Sequence, residues 1–369
     1  MIADHPHTIF MTGATGFLGH YILRGLLQHK IRTVVMLRAP LAQTAGRLSA
    51  MMKCIGFDIN PYISKQMLIL VEGYLPNNLP VCDWGRTDAV LNCAASLQLF
   101  SNGNDDPYET NVDGTEALIL WAEKYGVKYF HAVSTAYTCG WNKGVIQEVF
   151  HHPQPKFQTD YENSKWLTEV MLEEWSRRTS HCLTIYRPSL IIGDSETGYT
   201  TQFGGMYQLA RLVSVLKNHY SKSSNGSRTY IPLRIPGRPK DPQNVVPVDF
   251  ISQVMLEVIL NREYQGCIYH LTNPEPPTND LLKRCCEDYF GLCGGYFADP
   301  DEVIGKCTHA ESLLWDRYHV LTPRVSHNPV FDMANTKKVM DRAGLKFPIL
   351  DHDRIIKLFK YASARSWRK

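Results

Sequence analysis

The sequence lacks a strong excess of charge of either sign, since 39 lysines and arginines are balanced by 36 aspartates and glutamates. It also lacks an apolar run near the ~20 residues that a membrane-spanning helix needs, and its first residues do not resemble an export signal. Its 10 cysteines include no C-x-x-C pair. These absences argue against a nucleic-acid-binding protein, a membrane span, a disulfide-stabilised exported domain and a zinc site. We therefore expect a cytoplasmic protein with free thiols, no bound metal and no nucleic-acid partner.

A glycine-rich turn near the N-terminus lies between a predicted strand and a predicted helix. Residues 8–12 are β-branched or aromatic, and a helical pattern follows the turn as far as Lys30. In this context Gly13 allows a tight turn, Gly16 lets backbone N–H groups approach a pyrophosphate, and Gly19 permits close packing of helix on strand. An ordinary strand-to-helix loop is the alternative. We predict that this turn binds a dinucleotide cofactor, with contacts from Thr12, Gly13, Thr15, Gly16, Phe17, Leu18 and Gly19.

The end of the second predicted strand indicates which dinucleotide the turn would bind. Residues 33–37 form this strand, and Arg38 stands where an NAD-specific site carries an acid for the ribose hydroxyls. Arg38 and Arg47 can instead pair with a 2′-phosphate through their planar guanidinium groups. The sequence therefore favours NADPH over NADH, although either arginine could simply be solvated.

Further strands alternate with helices, as in an open α/β sheet. Residues 67–72, 89–93 and 129–133 read as strands, and Ala94 follows the second of these as a small residue against which a flat ring could lie. Asn111, near the start of the next predicted helix, is either a polar anchor or a satisfied buried amide. Because ligands of such sheets collect at the carboxyl ends of the strands, we expect a site near residue 134.

Tyr161 and Lys165 stand four residues apart at the start of a segment with the pattern of an amphipathic helix. Side chains at this spacing lie on one helix face, so the pattern places an ammonium beside a phenol. The ammonium favours the phenolate, and we expect the pKa of Tyr161 to lie below its ordinary ~10. An ordinary pair on a helix surface is the alternative interpretation.

The glycine turn, the strand-end Ser134-Thr135 and the Tyr-x-x-x-Lys spacing together resemble the extended short-chain dehydrogenase/reductase superfamily. Finer features resemble its branch of thioester reductase domains and fatty acyl-CoA reductases, with a male-sterility-type NAD(P)-binding domain. The likeness covers about residues 8 to 275. It rests on Val133-Ser134-Thr135-Ala136-Tyr137, Ser164-Lys165-Trp166, Tyr186-Arg187-Pro188-Ser189, the run from Gly193 to Gly198, and Val246-Pro247-Val248-Asp249.

The resemblance implies roles for individual residues. Thr135, five residues before Gly140 as in the family, would hold the substrate carbonyl oxygen. Tyr161 would protonate that oxygen as hydride arrives, while Lys165 would bind the nicotinamide ribose and Pro188 would lie near the nicotinamide. Thr135, Tyr161 and Lys165 are thus the expected catalytic residues, and the last two also contact the cofactor.

The resemblance also implies an α/β fold class, with a Rossmann-like doubly wound parallel sheet and a smaller, mostly C-terminal substrate-binding domain. We assign residues 1–193 and 244–272 to an NADP-binding Rossmann domain, and 194–243 and 273–369 to the substrate-binding domain. Aromatic side chains expected to line an apolar pocket in the latter are Trp315, Tyr318 and Phe331.

The implied activity is NADPH-dependent reduction of an acyl thioester, held on an acyl or peptidyl carrier protein or on CoA, to an aldehyde or alcohol. One alternative is an NAD(P)-dependent dehydrogenase or epimerase of a sterol-like or nucleotide-sugar substrate, which the same residues would serve. Another is a non-catalytic NADP-sensing regulator, against which the intact Thr135, Tyr161 and Lys165 argue.

Overall fold

The computed structural model describes residues 6–101, 103, 105–220, 228–299, 307–308, 311–312 and 329–367. The strands, in chain order, are β1 (Thr8–Thr12), β2 (Arg32–Leu37), β3 (Leu68–Glu72), β4 (Ala89–Asn92), β5 (Tyr129–Val133), β6 (Val145–Ile146), β7 (Cys182–Pro188), β8 (Leu190–Ile192), β9 (Thr229–Pro236), β10 (Val245–Pro247), β11 (Ile268–Leu271), β12 (Leu292–Ala298) and β13 (Val330–Phe331). The α-helices are α1 (Phe17–Gln28), α2 (Leu41–Cys54), α3 (Asn60–Ser64), α4 (Gly114–Lys124), α5 (Asp160–Thr179), α6 (Met206–Tyr220), α7 (Val248–Leu260), α8 (Asn279–Phe290), α9 (Ala334–Ala343) and α10 (His352–Ala364).

The chain divides into two compact units. Unit 1 contains Met1–Ser189, Val248–Thr272 and Val330–Lys346. Unit 2 contains Leu190–Pro247, Asn273–Pro329 and Phe347–Lys369. Each unit has its own apolar core, and we describe them separately.

Unit 1 is built on a parallel sheet of seven strands in the order β11-β7-β5-β4-β1-β2-β3. The sheet begins in the middle with β1 and extends outward in both directions, so the strand order reverses between β1 and β4. This arrangement confirms the predicted α/β fold class with a Rossmann-like doubly wound sheet. The carboxyl ends of β1, β4, β5 and β7 consequently meet along one edge.

The central strands β1 and β4 are continuously buried because helices cover both faces of a doubly wound sheet. In β1 every residue from Thr8 to Thr12 is buried. Helix α1 packs against α7, and α4 packs against α5. The core of one face includes Phe10, Val90, Leu118, Phe130, Leu172 and Ile185.

Unit 2 has two small parallel strand pairs, β8 with β10 and β9 with β12. Helices α6, α8 and α10 contribute the buried side chains Tyr207, Phe290, Leu358 and Phe359 to its core. Unit 2 therefore folds around a helix-rich core of its own.

Two short segments predicted in the Rossmann domain belong to unit 2. These are residues 190–193 and 244–247, and they lie together because β8 pairs with β10, with Val245 opposite Leu190. Periodicity along the chain does not reveal such a pairing, because both strands are only three residues long.

The segment Val330–Lys346, predicted in the substrate-binding domain, belongs to unit 1. Strand β13 pairs with β6, and the Thr336 hydroxyl donates to the backbone carbonyl of His270 at 3.0 Å. The ring of Phe331 lies against His270, with centroids 5.4 Å apart, so Phe331 packs in unit 1 rather than in the predicted pocket. Trp315 and Tyr318 lie outside the described residues.

Candidate active site

The turn between β1 and α1 is a close crossing of backbone segments. Gly13 has φ of +74°, and a Cβ at this residue would lie 2.4 Å from the backbone nitrogen of Ala94. A Cβ on Gly19 would lie 2.1 Å from the carbonyl oxygen of Gly13. Any side chain at either position would collide with backbone that cannot move aside, which explains the glycines there.

The first turn of α1 follows the glycine turn directly. Its N-cap residue, Gly16, makes no side-chain capping bond, and the turn carries no acidic residue. An uncapped helix N-terminus carries partial positive charge and binds phosphate groups. Thr15 and Gly16 are partly exposed beside it, whereas Phe17 and Leu18 are buried.

Thr12 ties β1 to β4 at the edge of the sheet. Its hydroxyl donates to the Asn92 carboxamide oxygen at 2.6 Å and accepts from the backbone nitrogen of Ala94 at 3.2 Å. Because Thr12 is fully buried, it supports the turn from beneath. The structure therefore brings Thr12, Gly13 and Ala94 together, as their places at two strand ends require.

Arg38 and Arg47 both have exposed side chains. Arg38 follows β2, and its carbonyl accepts a hydrogen bond of 2.8 Å from the Thr44 hydroxyl, which sets the start of α2 beside the strand end. Arg47 lies on α2, one turn further along the helix.

Thr135 lies at the carboxyl end of β5, where a short 3₁₀ turn, Ala136–Cys139, begins. Its side chain is only 5% exposed. The hydroxyl accepts from the backbone nitrogen of Tyr137 at 3.4 Å and donates to the carbonyl of Pro188 at 3.5 Å. The structure thus brings Thr135 to Pro188, the last residue of the neighbouring strand β7.

Lys165 projects from α5 to the same strand end. The Thr159 hydroxyl caps this helix by accepting from the backbone nitrogen of Glu162 at 3.3 Å. The Lys165 ammonium donates to the carbonyl of Val133 at 2.7 Å, two residues before Thr135. Burial lowers the pKa of Lys165 to about 8, although the negative charge of Glu169 opposes this effect.

Tyr161 occupies the first turn of α5. Its backbone nitrogen donates to the carbonyl of Leu99 at 3.3 Å. Burial raises the pKa of Tyr161 well above its ordinary value, and the charge of Glu162 adds to the effect. The expected lowering of this pKa is wrong, because the Lys165 ammonium is directed to Val133 and the loss of hydration dominates. The phenol is therefore protonated at neutral pH.

Asn111, for which the sequence left two interpretations open, connects three segments of the site. Its carboxamide oxygen accepts from the backbone nitrogen of Ser96 at 2.9 Å, and its nitrogen donates to the Ser164 hydroxyl at 2.9 Å. Ser164 in turn donates to the carbonyl of Tyr161 at 2.8 Å. Asn111 lies in a π-helical turn, Glu109–Asp113, which no sequence pattern predicts.

A buried ion pair joins β7 to α5, and the sequence analysis did not predict it. The guanidinium of Arg187 donates to both carboxylate oxygens of Glu169, at 3.0 and 2.5 Å, and both side chains are almost fully buried. The sequence analysis included Arg187 only in the Tyr-Arg-Pro-Ser run, and nothing in the sequence identified its partner on α5.

Among the described residues, no cluster of three or more histidine, cysteine or acidic side chains is arranged to hold a metal ion. None of the helices described combines the length and apolar character needed to cross a membrane.

A doubly wound sheet, a glycine turn after its first strand, and a buried lysine beside a strand-end threonine define an extended short-chain dehydrogenase/reductase. The model of a family of NAD-binding domains described as "Male sterility protein" matches residues 11–255. The chain belongs to this family, and its cofactor class is accordingly a nicotinamide dinucleotide.

Similar curated proteins are much longer than this chain. Aldehyde reductase lnaA of Aspergillus flavus is 24% identical over 98% of the chain, which corresponds to 37% of that protein. The L-2-aminoadipate reductase large subunit of Penicillium chrysogenum is 27% identical over 86% of the chain and 23% of that protein. The chain therefore spans about a third or less of the length of these relatives.

Solved structures with the same fold include reductase domains of modular synthetases. The terminal R domain from the myxalamid PKS-NRPS biosynthetic pathway has a TM-score of 0.79 at 22% identity, covering 100% of this chain and 93% of that one. A thiolation-reductase di-domain from an archaeal non-ribosomal peptide synthetase has a TM-score of 0.73 at 15% identity, covering 99% and 93%.

Proposed function

We propose that the protein is an NADPH-dependent reductase of acyl thioesters, held on a carrier protein or on CoA, which releases an aldehyde or an alcohol. The observation that carries the proposal is the convergence of Thr135, Lys165 and Pro188 on the ends of β5 and β7, with Tyr161 on the same helix as the lysine. The name of an L-2-aminoadipate reductase among its relatives supports reduction of a carboxyl-level group, and the name of an aldehyde reductase supports reduction of an aldehyde. A relative solved as a thiolation-reductase di-domain supports a carrier protein as partner.

The residues at the sheet edge fit a nicotinamide dinucleotide. The turn from Gly13 to Gly19 and the uncapped start of α1 would hold the pyrophosphate, since no Cβ blocks the approach. The exposed guanidinium groups of Arg38 and Arg47 would bind a 2′-phosphate, which is our reason for choosing NADPH. Ala94, Pro188 and Lys165 would then face the nicotinamide half. When bound, NADPH supplies the hydride.

The chain's own residues would manage the charge that hydride addition creates. As the thioester carbonyl is reduced, negative charge develops on its oxygen, where the Thr135 and Tyr161 hydroxyls can stabilise it. Tyr161 then transfers its proton to that oxygen. Breaking the C–S bond releases a thiol and an aldehyde, so one thioester consumes one hydride and one proton. A second round on the aldehyde would give the alcohol.

The test is NADPH oxidation by the purified protein with acyl-CoA and acyl-carrier substrates, with products identified by mass. We expect Tyr161→Phe to lower kcat by about 100-fold or more, the usual contribution of a positioned general acid. Tyr62→Phe, on α3 away from the sheet edge, is the matched control and should stay within about twofold. No turnover of any thioester, together with oxidation of a free alcohol or conversion of a nucleotide sugar, would contradict the proposal.

A further inference from the structure

The loop that follows β4 holds large apolar side chains in solvent. Leu97 is 56% exposed, Leu99 is 38% exposed and Phe100 is 37% exposed. Three such residues within four positions form an apolar surface, which a folded protein usually buries unless it contacts a ligand or partner. We call these three residues the apolar loop surface.

The backbone of this loop is held at several points, so the exposure is a property of the fold. Ser96 is bonded to the Asn111 carboxamide through both its N–H and its carbonyl. The Gln98 side chain donates to the carbonyl of Phe100 at 2.7 Å, and the Ser101 nitrogen donates to the Asp160 carboxylate at 2.8 Å. These bonds leave little freedom for the loop to turn its apolar residues inward.

The same bonds place the loop along the first turn of α5. The Leu99 carbonyl accepts from the backbone nitrogen of Tyr161 at 3.3 Å, and Asp160 binds the next part of the loop. The apolar loop surface is therefore adjacent to the proposed proton donor, within unit 1. A substrate whose carbonyl reaches Tyr161 therefore comes close to this part of the chain.

The composition of the loop indicates which part of a thioester it would meet. Residues 94–101 read Ala-Ala-Ser-Leu-Gln-Leu-Phe-Ser and contain no charged side chain. The phosphates of CoA or pantetheine, and an acidic carrier surface, would need cations there. An aliphatic chain needs only apolar contact, which Leu97, Leu99 and Phe100 offer.

We propose that the apolar loop surface binds the acyl chain of the thioester, and that the enzyme consequently prefers long aliphatic acyl groups to short ones. The inference rests on the proposed function, because it concerns the substrate of that same site. It makes Leu97, Leu99 and Phe100 residues that determine acyl-chain specificity.

The test is a series of acyl-CoA substrates from acetyl to dodecanoyl, compared by kcat/KM. For the unchanged protein we expect kcat/KM to rise with chain length, by up to about fourfold for each methylene that is fully buried. In the triple variant Leu97→Ser, Leu99→Ser, Phe100→Ser the ratio of decanoyl to acetyl kcat/KM should fall by about tenfold or more. Leu120→Ser is the matched control, since Leu120 is 60% exposed on α4, and its ratio should not change.

Several outcomes would overturn the inference. An unchanged ratio in the triple variant would do so, as would an equal loss at every chain length. If the triple variant lost kcat/KM only with acyl-carrier substrates and not with acyl-CoA, the surface would belong to a protein partner instead. If the triple replacement changed the mass of the protein in solution, the surface would belong to a contact with a second copy. If no thioester is reduced by the unchanged protein, the proposed function itself fails; if thioesters are reduced without the predicted dependence, only this inference fails.

Discussion

Lys165 carries an ammonium into a site where its side chain is almost fully buried, and we expect this to show in the pH dependence of stability. Burial lowers its pKa from 10.5 to about 8. Below pH 8 both the folded and the unfolded chain hold the proton, and the folded state bears the full penalty of the buried charge. Between pH 8 and 10.5 only the unfolded chain still binds it, so this group makes stability rise with pH.

The difference between the two pKa values corresponds to about 3 kcal/mol, at about 1.4 kcal/mol per pH unit. Relative to a Lys165→Met variant, the unchanged protein should therefore gain about 3 kcal/mol between pH 7 and 10.5. The groups that face the ammonium are the Glu169 carboxylate, the Cys93 thiol and the carbonyl of Val133. Glu169 is itself paired with Arg187, which limits how far it can offset the penalty.

The assay is urea unfolding of both proteins at pH 7, 8, 9, 10 and 10.5, followed by tryptophan fluorescence. Taking the difference between the two curves removes the titration of groups that both proteins share. Lys143→Met, at an exposed position, shows what removing a surface ammonium does under the same conditions. The reasoning is refuted if the difference for Lys165→Met stays constant, or if the unchanged protein loses stability relative to it as pH rises.

Three further predictions concern a glycine at a backbone crossing, the buried ion pair and a buried histidine. Gly19→Ala should destabilise the protein to urea and weaken NADPH binding measured by fluorescence, because the new Cβ would lie 2.1 Å from the carbonyl oxygen of Gly13. Gly46→Ala is the control: its new Cβ would meet no atom within 4 Å, and the replacement should stabilise the protein by about 1 kcal/mol. Glu169→Leu should cost about 3–5 kcal/mol in urea unfolding by leaving the buried Arg187 guanidinium unpaired, and adding Arg187→Met should recover most of the loss. Burial lowers the pKa of His131 to about 3, so the unchanged protein should lose about 2 kcal/mol relative to His131→Phe between pH 7 and 5, measured by urea unfolding.

Each of these predictions has a contrary outcome. Equal effects of the two glycine replacements would show that backbone crossing is not what restricts Gly19. Failure of the double replacement to recover stability would mean that the ion pair is not the main contribution of Glu169. Parallel pH curves for His131→Phe would mean that this histidine is not kept neutral by burial.

Local patterns were enough to predict the elements that carry the site. A β-branched run, a glycine turn and a helical period occur next to one another in the chain, so β1 and α1 could be read directly. The spacing of Tyr161 and Lys165 placed both on α5 for the same reason. The strand-end position of Thr135 followed because residues 129–133 have a strand pattern that stops just before it.

Contacts between distant segments could not be read in this way. The pairing of β13 with β6 joins residues 185 positions apart, so the sequence did not show that Phe331 packs against His270. The same holds for Asn111, whose bonds to Ser96 and Ser164 depend on a π-helical turn that has no sequence period of its own.

The sequence by itself determined the α/β fold class, the glycine turn, and the presence of a phenol and an ammonium on one helix face. Only the tertiary structure decided in which direction the pKa of each group is shifted. Burial lowers the pKa of Lys165 and raises that of Tyr161, and the ammonium is bonded to the carbonyl of Val133. Spacing along a helix sets which side chains are neighbours, whereas the pKa of each depends on the loss of water and on polar groups from other strands and loops.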